Sequence, residues 1–465
     1  MSRILISYFS DYGEAMYDAI CKELLNNGND VLRINTEGVI LYQKWGEECK
    51  LKNKEIIKKV LKFKPNLVMN FNNSLPIEIT QMLNCPNCII DADNPETFWN
   101  KKYIKNNHKK FKFLGLQKYS KTMYRKLLSH KINNKNYLFF PPATSVKAQK
   151  LQKKFNISFI GSNFFPLRIP DEDFFYSKNA INIYKKYKKN YFYDCDKEYG
   201  GNIKKRNEHK TICETIRAFY VGQDRLKHMS VLTDLGFTFF GVRWWNKIAY
   251  YDFDIASCFN PKKITTNIEN QWVYNSSKIS INISHPQAKS SFSWRVMDIM
   301  ASDSCLLTEY KEDWNELFGK YISKEVKEAI IYNNRYELRQ KCITLLDNEK
   351  LRNKCIEELQ NAIEKNGRWH KRLLKLQQFT KVPIIDIENN HPFYEKVNFK
   401  RSKPESPQSK KNKTKLRIRT RVRLILCSVL LIINQIPFVN KLLIDRDTLF
   451  DKIKKTIEDD RYNKN

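Results

Sequence analysis

The stretch from Ile283 to Leu307 gathers side chains suited to holding a phosphorylated ligand. Ile283-Ser284-His285-Pro286 is followed by Phe292-Ser293-Trp294-Arg295-Val296-Met297-Asp298-Ile299-Met300-Ala301-Ser302-Asp303 and then Cys305-Leu306-Leu307. The pattern reads as strand, small polar loop, helix, strand. Ser290, Ser291 and Ser293 crowd the start of the helix, where free backbone N–H groups and the helix dipole favour a phosphate. Arg295 in the first turn adds a charge that can bind two oxygens at once. Asp298, three residues on, shares its helical face and could hold ribose hydroxyls. An ordinary αβ unit with a capped helix and an Arg–Asp pair has the same spacing.

Side chains of this kind need a rigid frame. Residues 4–9, 31–34, 67–71 and 88–91 read as short buried strands, and 15–25 and 55–63 as helices between them. Strands alternating with helices imply a parallel sheet covered on both faces, which binds ligands beyond the carboxyl ends of its strands. A second series begins near Phe155, with strands expected over 156–162, 238–241, 278–283 and 305–308. Helices are expected over 225–235 and 294–301, and dominate from 336 to about 376. Residues 180–210, rich in Lys, Tyr and Asn, read as an insertion. The expectation is an α/β chain of two domains, 1–150 and 151–375, joined near 145–155.

Composition narrows the classes. The chain has 465 residues, 42% of them apolar and 13% aromatic, so it is not a disordered polymer. Only 13 are Gly, which argues against collagen-like or β-solenoid repeats. Eleven cysteines without a regular framework fit reduced thiols in the cytosol, and the one CxxC, Cys85 to Cys88, has no partner motif for zinc. The N-terminal apolar run is too short for a signal peptide. Lys and Arg number 83 against 50 acids, a formal charge of +33. Lys, Asn and Ile share AT-rich codons, so part of this excess reflects base composition.

The tail carries its own signal. Residues 400–423 hold eleven basic residues and one acid, and 424–433 follow as an apolar run broken only by Ser428. Ten residues are half of what a bilayer span needs. The expectation is a basic linker over 376–423 and a membrane-associating tail over 424–465, lying on anionic headgroups at shallow depth. A helix docked on the first domain is the alternative. The charge outside the tail reads as thinly spread.

Several pieces together resemble GT-B glycosyltransferases of the CgeB-like group, named for a spore maturation protein. The 295–303 helix is similar to the family's R-x-x-E/D-x-x-A-x-G/S helix. Ile90-Asp91-Ala92-Asp93-Asn94-Pro95 resembles its D-x-P turn, and Phe140-Pro141-Pro142-Ala143-Thr144 the segment closing its first domain. Ile157-Ser158-Phe159-Ile160-Gly161-Ser162 is similar to its F-x-G-S strand and turn. Arg225, Leu232, Leu235, Gly236, Phe240-Gly241 and Trp244 resemble its R…L…G…G…W unit, and Trp369-His370-Lys371-Arg372 its terminal His/Arg helix. The resemblance covers roughly residues 1–375. Asp298 stands where the family usually has Glu, the Gly after the helix is replaced around Ser302-Asp303, and Ser290 stands where a retaining E-x7-E pattern needs Glu.

The resemblance implies a GT-B fold, two Rossmann-like domains facing a cleft. It also implies transfer of a sugar from a nucleotide-sugar donor to a cell-surface glycan or lipid-linked acceptor. Donor-binding candidates are Gly161, Ser162, Asn163, Ser290, Ser291, Ser293, Arg295 and Asp298. Asp91 and Asp93, with Asp11 behind them, are candidate bases, although both could simply cap the turn before Pro95. His285 is a candidate contact to the donor sugar. Expected besides are no cofactor, no metal, no nucleic acid, and a cytoplasmic location peripheral to the inner membrane face. A basic nucleic-acid-binding protein and a catalytically silent GT-B scaffold are the alternatives.

Overall fold

The computed structural model describes residues 2–9, 14–42, 48–93, 95, 98–128, 132–163, 178–193, 203–241, 245, 248 and 252–399. The basic and apolar tail, Asp11 and Trp244 lie outside them. Among the described residues no helix is long and apolar enough to cross a membrane.

The first unit is a parallel sheet. Its strands are β1 (Arg3–Tyr8), β2 (Asp30–Asn35), β5 (Leu67–Phe71), β6 (Asn87–Ile90), β7 (Phe111–Gly115), β8 (Tyr137–Phe139) and β14 (Tyr394–Asn398), in the order β14-β2-β1-β5-β6-β7-β8. A small antiparallel pair, β3 (Ile40–Tyr42) and β4 (Cys49–Leu51), sits apart from it. Every residue of β5 and β6 is buried, as expected of strands covered by helices on both faces. Ile4, Ile6, Leu67 and Met69 pack in one cluster, and Leu5, Leu32 and Val68 in another on the opposite face.

The second unit is a five-stranded parallel sheet, β9 (Phe155–Ile160), β10 (Phe237–Phe240), β11 (Ser277–Asn282), β12 (Cys305–Glu309) and β13 (Ile331–Tyr332), in the order β10-β9-β11-β12-β13. The expected insertion includes two helical segments among its described residues. Helix Lys178–Lys189 packs against helix Ile203–Met229 through Ala180, Ile183 and Tyr187 on one side and Cys213 and Ile216 on the other. The second helix runs far longer than the 225–235 segment read from the sequence.

Two boundaries differ from expectation. Helix Trp369–Thr380 spans the expected end of the second domain but packs on the first unit, with Trp369, Leu373 and Leu376 against the β1 and β5 core. The expected 376–423 linker contains β14, which pairs in parallel with β2 from Tyr394↔Val31 to Asn398↔Asn35. Backbone pairing rather than apolar pattern makes this strand, since Val397 is its one buried residue.

Two sets of contacts fix the crossings between the units. Arg372, fully buried, donates from Nε to the Pro141 carbonyl at 3.0 Å and from Nη2 to the Asn366 carbonyl at 2.6 Å. In the forward crossing, Lys150 and Lys153 pair with Asp303 at 2.6 and 2.7 Å, and Asn275 accepts from Gln149 N at 3.1 Å. Two parallel helix-flanked sheets meeting through the carboxyl ends of their strands, with the last helix returning to the first unit, form the GT-B arrangement. Replacing Arg372 by Met leaves buried carbonyls without donors and is expected to cost about 3 kcal/mol. Urea denaturation of the Arg372→Met variant measures it.

Candidate active site

The cleft is built from the strand ends of both units. On the second, β9 ends in Gly161-Ser162-Asn163 and β11 in Asn282, and between them lie two arginines. Arg225, on the 203–229 helix, donates to the Ser162 carbonyl and, at 3.1 Å, to that of Ile283. Arg295, on helix Trp294–Met300, donates to Asn282 Oδ1 at 2.9 Å and hydrogen-bonds the Tyr274 side chain. Both guanidiniums lie over the Phe159 ring, at 5.2 and 4.8 Å. Burial, then the charge of Arg295, pulls Arg225 down to about 9, and burial likewise lowers Arg295. Two like charges share one partly dry site, which favours an anion between them.

Gly161 is small because it must be. A Cβ there would lie 2.6 Å from Phe159 Cζ and 3.0 Å from Arg295 Nη2, so a side chain would push the Phe159 ring from under the guanidiniums and crowd Arg295. The Gly161 carbonyl accepts from Trp245 Nε1 at 2.6 Å, which ties the turn to the core. Asn163 is buried and Ser162 exposed beside it. Ser293 donates to the same Asn282 Oδ1 that holds Arg295, at 3.0 Å. Asn282 thus orients both residues from the end of its strand.

Other candidates face elsewhere. Ser290 donates to Asp313 Oδ2 at 3.2 Å and accepts from Tyr119 N at 3.0 Å, so its hydroxyl bridges the two units. Ser291 is buried, and its hydroxyl has no partner among the described residues. Asp298 accepts from Thr144 Oγ1 at 2.6 Å, and burial raises it to about 7. The sequence pattern could not show that these side chains are held by the opposite unit or by the crossing segment.

Asp91 and Asp93 follow β6, two residues apart in the chain and very different in setting. Asp91 is buried, accepts from Leu116 N at 2.7 Å and hydrogen-bonds Ser120. Burial raises it to about 8. Asp93 is exposed along the cleft, while Asn72, Gln287 and Tyr191 surround it on other sides. Asn72 Nδ2 donates to its Oδ2 at 2.7 Å. Burial of its carboxyl among these neighbours raises its pKa, partly offset by the hydrogen bonds from Asn72 and then Gln287. A more basic carboxylate open to solvent suits a proton acceptor.

His285 stands next to this group. The Gln287 N–H donates to Nδ1 at 3.2 Å, which puts the ring hydrogen on Nε2. Burial, then Arg225 and Arg217, lowers the ring to about 3, so it is neutral at ordinary pH and can donate but not carry charge. Tyr191 meets its edge at 5.2 Å, Arg217 lies over Tyr191 at 5.7 Å, and Phe192 stacks on Tyr119 at 6.1 Å. The loop after helix 178–189 therefore reaches across to the first unit. Tyr191, in the insertion, and Arg217, on the helix that follows it, were not legible as site residues, because only the fold brings them to His285.

Gln117 was also not legible. It ends the β7 loop and caps helix Lys118–Leu127. Its Nε2 donates to the Gln287 carbonyl at 3.0 Å, and its Oε1 accepts from Lys289 N at 2.8 Å and Ser290 N at 3.0 Å. Lys118 N donates to Asp313 Oδ2 at 3.1 Å beside it. Among the described residues no group of three or more His, Cys, Asp or Glu side chains is arranged to hold a metal ion.

Residues 223–378, a third of the chain, match the family model described as glycosyl transferase-like. That segment, which holds Arg225, His285, Arg295 and Asp298, is glycosyl transferase-like. No curated protein sequence matches the chain. Among solved structures, T4 phage β-glucosyltransferase is 13% identical over 82% of this chain and all of that one, with a TM-score of 0.49. Sucrose-phosphate synthase from Thermosynechococcus elongatus is 8% identical over 82% of this chain and 98% of that one, with a TM-score of 0.48. S. aureus TarM is 12% identical over 72% and 60%, with a TM-score of 0.42.

The Asp91 setting predicts a pH dependence. Its folded pKa of about 8 lies above the ordinary 3.8, so its contribution is full below pH 4 and is lost as pH rises toward 8. Asp91→Asn keeps an acceptor for Leu116 N and cannot ionise. Urea midpoints are expected to show the variant gaining on the parent from pH 5 to 8, with the difference flat above that.

Proposed function

We propose that the chain is a glycosyltransferase that moves a sugar from a nucleotide-diphosphate donor to an acceptor hydroxyl. The single observation that carries this reading is the arginine pair over Phe159, at strand ends facing Asp93 across the cleft through Gln287 and His285. The donor diphosphate lies against Arg225 and Arg295, whose charge stabilises the leaving group as the bond to the sugar breaks. Gly161-Ser162-Asn163 and Ser293 line that subsite. Asp93 takes the acceptor proton, and neutral His285 donates from Nε2 to the sugar. Asp91, held by Leu116 N and Ser120, positions the loop and does not take the proton.

The finer assignments belong to the same proposal. The chain fits the CgeB-like group, and its acceptor is a cell-surface glycan or a lipid-linked one. T4 phage β-glucosyltransferase has been seen with UDP and Mn2+; for this chain transfer is proposed to need no resident metal, the arginines supplying the charge. The tail over 424–465 holds the enzyme to anionic lipid at the cytoplasmic face.

A panel of nucleotide sugars, read by thermal shift and by hydrolysis, tests the core of this. At least one is expected to stabilise the protein, and Arg295→Ala to weaken its binding roughly tenfold or more, as loss of a charged hydrogen bond predicts. Asp93→Asn is expected to lower turnover about 100-fold or more while donor binding is kept, and Asp91→Asn to lower it far less. Activity that survives EDTA supports the metal assignment. For the tail, liposome flotation of the full chain should exceed that of a chain ending at Lys400.

A further inference from the structure

The charge outside the tail is not evenly spread. From residue 97 to residue 170 the chain has no Asp or Glu, whereas at its overall frequency of 50 acids in 465 residues about eight would fall there. The same stretch holds seventeen Lys and Arg, half of the net +33. Base composition does not account for this, because Glu and Asp have AT-rich codons as well. Twelve of the seventeen lie within 101–135.

The fold turns that segment into a surface. Helices Lys101–Asn106 and Lys118–Leu127 lie on one face of the first sheet, since Ile104, Tyr124 and Leu128 all pack with Ile89 and Phe113. Their apolar sides are used, and their outer sides carry the charge. Lys102, Lys105, Lys109, Lys110 and Arg125 are exposed, and none makes an ion pair with a described residue. The longer helix, ten residues or about 15 Å, starts at the cleft, where Gln117 and Tyr119 touch the second unit. The basic face therefore runs from the cleft mouth outward along the first unit.

We infer that this face holds a linear, base-free polyanion, a glycan chain with repeating phosphodiester or carboxylate groups, whose end enters the cleft as the acceptor. Charge complementarity sets the sign of the partner. Continuity with the cleft favours a chain over a flat bilayer, because a polymer can lie on the helices and still present a hydroxyl near Asp93. A nucleic-acid strand is disfavoured because, among the described residues, the two basic helices present no exposed large apolar side chain on which bases could stack. The word acceptor rests on the transferase reading proposed above; the binding itself does not.

The test uses the full chain and no donor, so nucleotide-sugar binding is scored separately and either reading can fail alone. Fluorescently labelled poly(glycerol phosphate) and polygalacturonate are titrated at 50 to 200 mM salt. Binding of one or both is expected, and for the phosphodiester a log–log salt slope of about −3 to −4, as about five neutralised phosphates predict. Binding of only one names the anionic group. Reversal of Lys102, Lys105, Lys109 and Lys110 to Glu is expected to weaken binding tenfold or more and flatten the slope. The milder quadruple Ala variant should fall between. A control reversal of exposed Lys58, Lys62, Lys350 and Lys365, which leaves net charge equal, should change it less than twofold. Equal losses in both reversals, or no binding of either polymer at 50 mM salt, overturns the proposal. So does patch-dependent binding confined to (dT)20 or to phosphatidylserine vesicles, which would assign the face to nucleic acid or to membrane.

Discussion

One carboxamide sets the width of the cleft. Gln117 spends both ends of its side chain on the backbone of residues 287–290 of the other unit. A neutral amide can do this where a charged side chain could not, because it offers a donor and an acceptor at once without a desolvated charge. The cap of helix 118–127 adds Lys118 N to Asp313 and Tyr119 N to Ser290, so the helix N-terminus faces a carboxylate as its dipole favours. On the far side, Arg372 and the Lys153–Asp303 pair hold the two crossings. With both ends fixed, the loop carrying His285 and Gln287 can lie only where Asp93 and Tyr191 already stand.

Inside that frame, charge is distributed by how much water each group keeps. Arg225 and Arg295 sit against one aromatic ring and against neutral or backbone acceptors, a costly arrangement for two cations. Asn282 shows how the cost is contained: its Oδ1 takes Arg295 and Ser293, and its Nδ2 donates to Thr308 Oγ1 at 3.0 Å. The strand end is thus rigid before any ligand arrives, and an incoming anion meets donors that need no reorganisation. Asp91 and Asp93 show the converse. Two carboxyls two residues apart differ because one is enclosed by helix 118–127 and the other opens on the cleft.

Much of the frame was legible because it is written in apolar runs. The strand at 67–71 and the helix at 55–63 match their expected bounds, since each lies where a fully buried or one-sided pattern leaves little choice. Strand β14 has no such pattern; long-range pairing with β2 decides it. The site divides the same way. Asp93, His285, Gly161 and Arg295 could be singled out as candidates because the ends of buried strands and the segments that follow them are where ligands bind in such sheets. Gln117 and Tyr191 were not, because their contacts with Gln287 and His285 lie more than 90 residues away in the chain, and Arg217 enters only through Tyr191. Ser290 has two settings: its neighbours in sequence suggest a phosphate loop, and its neighbours in space are Tyr119 and Asp313.

The basic face treats surface charge differently from the second unit, and the contrast bears on what it is for. Residues 309–349 of the second unit carry nine acids and seven bases. Pairs form there, as in Lys341–Glu337 at 3.0 Å and Lys324–Glu328 at 3.8 Å, or outward to Asp234 from Arg339 at 2.6 Å. The same Lys-rich composition thus produces a compensated surface there and an uncompensated one on the 101–135 face of the first unit, whose residues 1–96 carry thirteen acids against eleven bases. Lysines on adjacent turns lie within a Debye length of about 8 Å and repel one another. A face that keeps them without acids gives up stability in the free protein, and regains it when counter-anions are held along it. That asymmetry, placed beside the mouth of the cleft, separates local selection from composition in a chain where the net charge alone could not.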